Sequence, residues 1–62
     1  MSAIKNGDDV LITDATGQEH PARALSGVEP GHKFPIVWVE IERYAGGTDR
    51  VPWPADAIRR RP

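Results

Sequence analysis

Apolar and polar residues alternate in short runs along this chain, and no stretch of ten residues carries a helical period. In the first run, residues 9–14, Val10 and Ile12 fall on one side of a strand and Leu11 and Thr13 on the other. Asn6-Gly7 precedes it as a turn signal, and Asp14-Ala15-Thr16-Gly17 follows as a tight turn with Gly17 placed for positive φ. Glu19 to Ser26 reads as a short, bent second strand. Pro21 cannot donate to a ladder there and belongs at a strand start or an edge.

Two glycines and two prolines make Gly27 to Pro35 a loop. Residues 36–44 form the strongest strand signal, rich in β-branched and aromatic types, with Val37, Val39 and Ile41 on one face and Trp38, Glu40 and Glu42 on the other. Ala45 to Asp49 is a hairpin turn and Val51 to Trp53 pairs back. Pro54 to Ala57 makes a single 3₁₀-like turn, and Ile58 to Arg60 is the last strand. Five short strands in one small domain leave exposed edges unless the sheet curls on itself, so a small barrel is expected.

The segment Pro52-Trp53-Pro54-Ala55-Asp56-Ala57-Ile58 resembles the end of SH3-type domains, with Pro54 and Ile58 at the proline and valine positions of that pattern. The opening GDDVLITDATGQEHPARAL is similar to the first hairpin of Tudor-like and KOW-like relatives. The resemblance implies an all-β fold: a five-stranded SH3-like small barrel with one 3₁₀ turn before the last strand. Ala57 stands where SH3 domains usually carry a tyrosine, so a main wall of their proline-peptide groove is missing. The chain has four aromatic residues, too few to spare several for a Tudor-type cage. The resemblance therefore carries fold and not ligand class.

Sixty-two residues allow one domain, spanning 1–62, with 1–7 expected as a flexible N-terminus and 60–62 as a basic tail. The chain has no cysteine, and His20 and His32 lack the paired spacing of a metal motif, so no metal and no cofactor is expected. No run is apolar enough for a signal peptide or a membrane span, which gives a cytoplasmic expectation. The net charge of −1 gives no global pull toward nucleic acid or membrane. Arginine outnumbers lysine, and Ala, Gly, Pro and Asp are plentiful, a composition that suits a bacterial or phage genome.

Ser2, Ser26, His20 and His32 offer no nucleophile–base spacing, no glycine-rich phosphate loop precedes a helix, and Asp8, Asp9 and Asp14 do not match a calcium loop. An enzyme is therefore not expected. Trp38, beside carboxylates on the polar side of its strand, is the natural anchor for a protein partner, with Glu40, Glu42, Tyr44 and Leu11 as its candidate surround. Trp53, at inward parity between two prolines, is expected to plug the end of the core. The alternative is a nucleic-acid surface built from Lys33, Arg50, Arg59, Arg60 and Arg61. The chain is expected as a monomer or a homodimer, and a third possibility is that the exposed strand face joins two copies, which would also relieve the marginal core. Whether the 27–35 loop covers Trp38 decides between an anchor and a second core.

Overall fold

The computed structural model describes residues 4–43 and 45–61. Five strands are formed: β1 (Asp9–Thr13), β2 (Glu19–Ala24), β3 (Ile36–Glu42), β4 (Thr48–Pro54) and β5 (Ile58–Arg60). They make one antiparallel sheet in the order β4-β3-β2-β1-β5, with a lone 3₁₀ turn at Ala55–Ala57 before β5. The expected all-β architecture and single 3₁₀ turn are present. The closed barrel is not: β4 and β5 are the two edges, and no ladder joins them among the described residues. The short β5 and the outward-facing prolines of β4 leave little main chain with which to close it.

Strand boundaries differ from the sequence expectation where prolines or bulges intervene. β4 is longer than Val51–Trp53: Thr48 to Arg50 pair with β3 where the hairpin turn was expected to run to Asp49, and Pro54 extends the other end at no cost in bonds. Main-chain bonds from Arg43 N to Gly47 O and from Ala55 N to Pro35 O bracket the β3–β4 ladder. They put residues 49, 51 and 53 in hydrogen-bonded pairs and turn the nitrogens of Pro52 and Pro54 away from β3. β2 ends at Ala24, before Ser26, because a bulge follows. Leu25 N still donates to Trp38 O at 2.7 Å, yet the next bonded pair is Glu29 with Ile36, so three residues oppose Val37 alone. Within that bulge the Ser26 hydroxyl accepts the Trp38 N–H at 3.1 Å in place of a main-chain carbonyl.

Pro21 sits inside β2, opposite Leu11, and not at its start. Bonds from Ala24 N to Asp8 O and from Asp14 N to Gln18 O show that its nitrogen points away from β1, toward β3. It has no hydrogen to offer there, and the β2–β3 ladder holds only at Arg23↔Glu40 and Ala24↔Val39. Beyond Arg23 the two strands part.

Val10, Ile12, Ala24, Val37 and Val39 are buried and form the core, as strand parity expects. Ile4, Ala22, Ile41, Val51, Trp53 and Ile58 pack around them. Trp53 lies opposite Val37, and its indole Nε1 donates to Thr13 O at 3.2 Å, tying β4 to the end of β1 across the concave side. Gly7 N donates to Ala24 O at 2.7 Å, so the segment before β1 is bound to the sheet.

Asp14 organises the β1–β2 turn. Its carboxylate accepts from Thr16 N (2.9 Å), Thr16 Oγ1 (2.6 Å), Gln18 N (3.1 Å) and His20 Nε2 (2.6 Å), while Gly17 takes φ of 88°. The Thr16 and His20 bonds hold Asp14 well below the ordinary aspartate range. A depressed folded value means that this stability is fully present above the unfolded value, about 4, and is lost as pH falls below it. Asp14→Ala is therefore expected to lower the melting temperature at pH 7 and to flatten its decline between about pH 4 and 2. Parallel pH profiles for the two proteins would show that the turn does not depend on this charge.

Candidate functional site

The convex face of β3 and β4, opposite the core, gathers the exposed apolar surface. Trp38, at the centre of β3, is 39% exposed, and Phe34 and Val28 in the preceding loop are 51% and 53% exposed. Trp38 faces Pro52 and Ile36 faces Pro54 in non-hydrogen-bonded pairs, the arrangement that brings side chains closest. Leu25, just past the end of β2, is bonded to Trp38 through the main chain and flanks the same row. The 27–35 loop does not bury the indole. Its residues Gly31 to Phe34 instead line, with Ile36, Pro52 and Pro54, an open cleft of about 360 Å³. Gly31 is required for that close approach: a Cβ there would lie 2.3 Å from Phe34 O and 2.8 Å from Ile36 Cγ2. Gly31→Ala is thus expected to push the loop off β3, read as amide shift changes spanning residues 30–36 with the β1–β2 hairpin unmoved.

Next along the face comes a charged row. Arg23, Glu40 and Arg50 stand side by side on β2, β3 and β4, so Glu40 is flanked by two cations. Glu42 is exposed and faces Thr48. Tyr44 lies outside the described residues. Leu11 is not brought to this surface: it sits two strands from β3, between Pro21 and Arg59.

The five basic candidates do not converge. Lys33 and Arg50 belong to the β3–β4 side, whereas Arg59, Arg60 and Arg61 lie along the opposite edge of the sheet. Arg59 is held by Glu19 in a two-pronged contact, Nε to Oε2 at 2.6 Å and Nη2 to Oε1 at 3.0 Å. Each partner stabilises the other's charge, lowering the pKa of Glu19 and raising that of Arg59. Arg60 reaches Asp8 at 3.5 Å. These cross-strand partners lie some forty or fifty positions away in sequence, and nothing in composition pointed to them.

No family of known proteins, no characterised protein and no solved structure matches this chain. Function must be argued from the surface itself.

A second, larger cleft of about 840 Å³ opens where Pro21 parts β2 from β3; Ile12, Ile41 and Trp53 are among its apolar lining, and Asp14, His20, Arg23 and Glu42 are among its polar lining. The one close acid–histidine pair, Asp14 with His20, is arranged against nucleophile activation. Thr16 and His20 both donate to the carboxylate, so the hydroxyl gives its proton's bond to Asp14 and none to the imidazole. Among the described residues, no group of three His, Asp or Glu side chains is placed to hold a metal, and no helix is long and apolar enough to cross a membrane.

Proposed function

We propose that this chain is a small non-catalytic protein–protein interaction module that docks on a larger protein through the convex face of β3 and β4. Trp38 is its anchor, the neighbouring Pro52, Ile36 and Phe34 widen the apolar contact, and Glu40 and Glu42 follow Trp38 along the same face of β3. The observation that carries this reading is a mid-strand tryptophan, 39% exposed, on the face turned away from the core. A contiguous exposed apolar strip on a soluble fold has a cost in solvation and in aggregation, and binding is the usual reason for keeping one.

The edge beside this strip argues for recognition by side chains. A partner strand adding to β4 would need N–H groups from its outward positions, and Pro52 and Pro54 have none. The fold is read as an SH3-like barrel whose closure is made by side chains. The β4-β3-β2-β1-β5 order, the 3₁₀ turn before β5 and the Trp53–Thr13 bond support that reading. A cytoplasmic bacterial or phage regulator or inhibitor, acting as a monomer or homodimer, suits the size and composition. A nucleic-acid role for the arginine tail has less support, since Arg59 and Arg60 already face carboxylates of their own chain.

Affinity capture from bacterial lysate, with nuclease added, tests the proposal by comparing wild type with Trp38→Ala. A protein retained by the first and lost by the second supports it. Recovery that depends on intact nucleic acid and ignores Trp38 overturns it in favour of the arginine tail.

A further inference from the structure

The cleft beside Trp38 has a chemical bias of its own. Its walls are the apolar surfaces of Phe34, Ile36, Pro52 and Pro54, and among the described residues its polar side chains are Lys33 and His32. Among the described residues no carboxylate lines it: Glu29, directly opposite Ile36, stands just outside the wall, and Glu40, further along β3, lies between Arg23 and Arg50. Among the described lining residues the formal charge is therefore that of Lys33, in a protein whose overall charge is −1. At about 360 Å³ it sits at the low end of ligand pockets, roughly 300–1,000 Å³, room for one apolar side chain and its flanking main chain.

We infer that the partner presents to this cleft an extended segment in which an apolar side chain is flanked by carboxylates, with the apolar group seated on Ile36, Pro52 and Pro54 and a carboxylate reaching Lys33. This rests on the reading of the Trp38 face as a protein-binding surface and names the chemistry of what binds there. A segment flanked by lysines would fit the apolar walls equally well but would meet like charge at Lys33. Beside the cleft the β4 edge offers no outward N–H at Pro52 or Pro54, so selectivity there comes from these side-chain contacts.

The test uses the full chain, labelled with ¹⁵N, and two capped probes, Ac-Gly-Asp-Phe-Asp-Gly-NH₂ and Ac-Gly-Lys-Phe-Lys-Gly-NH₂, titrated to millimolar concentrations. The acidic probe is expected to move the amides of residues 31–34 and the Trp38 indole. The lysine probe should bind roughly two- to fivefold more weakly, the range of an exposed ion pair. Lys33→Glu, an exposed loop change, should reverse that order. Equal binding of the two probes, or an order unchanged by Lys33→Glu, overturns the inference. Absence of shifts from either probe, while Trp38→Ala still abolishes partner capture, overturns the inference alone and leaves the docking face standing. Patch resonances that move on dilution without any probe assign the surface to a second copy of the chain. Shifts confined to Arg59–Arg61, with capture indifferent to Trp38→Ala, remove both the inference and the reading beneath it.

Discussion

Trp53→Ala is expected to unfold much of the population at 25 °C. Among the described residues the buried core is five side chains, none larger than isoleucine, so the partly buried residues packed on it carry an unusual share of its stability. Trp53 is the largest of them. It covers the core from β4 beside Val37 and anchors its ring to Thr13 O on β1, a strand not adjacent to its own in the sheet. Truncating a packed tryptophan costs about 3 kcal/mol or more. A domain of this size has a reserve of only about 3–5 kcal/mol. Urea denaturation followed by circular dichroism should then show little or no native baseline. Trp53→Phe, which keeps most of the packing and loses the Nε1 bond, should lose about 1 kcal/mol and remain folded. If Trp53→Ala melted within a few degrees of wild type, the ring would be a surface feature and the concave side would be held by something else.

Period-two alternation assigned Val10, Ile12, Val37 and Val39 to one face, because strand geometry leaves a side chain only two choices. It likewise placed Trp38 away from the core and Trp53 toward it. The prolines were harder. That Pro21 lacks a donor is evident from its chemistry, but which neighbour goes without the bond depends on register, and register set the point where β2 leaves β3. Pro54 was expected in the following turn for the same reason: only the pairing reveals that its nitrogen, like that of Pro52, faces outward, while Thr48 and Asp49 were expected in the hairpin turn. Closure was out of reach, since it depends on sheet coiling and edge bonding, not on any local pattern. The placement of the arginines was hidden for a different reason. Three consecutive arginines look like one patch in sequence, yet strand alternation turns Arg59 and Arg60 to opposite faces, where separate carboxylates engage them. The cleft under Phe34 left no signal beyond a Pro- and Gly-rich loop, because it exists only once Gly31 lets that loop lie against Ile36.

Trp38→Ala should do the opposite of Trp53→Ala: leave the fold in place and weaken binding. The bonds that position Trp38 are made by its main chain, N–H to Ser26 Oγ and C=O from Leu25 N–H, and alanine keeps both. Its side chain points away from the five buried residues, so removing it opens no cavity among them. The stability change should be about 1 kcal/mol or less, whereas truncating a central aromatic anchor typically costs about 2 kcal/mol of affinity, near a thirtyfold rise in Kd. Amide spectra of the variant should overlay on wild type except near residues 25, 26, 36–40 and 50–54, while calorimetry against the captured partner shows the loss. The contrast between the two tryptophans is the sharp part. A variant that unfolds places Trp38 in a second core beneath the loop, and one that folds and binds normally moves the contact surface elsewhere. Only a folded protein with weakened binding fits a tryptophan kept on the outside of a domain that has so little to put inside.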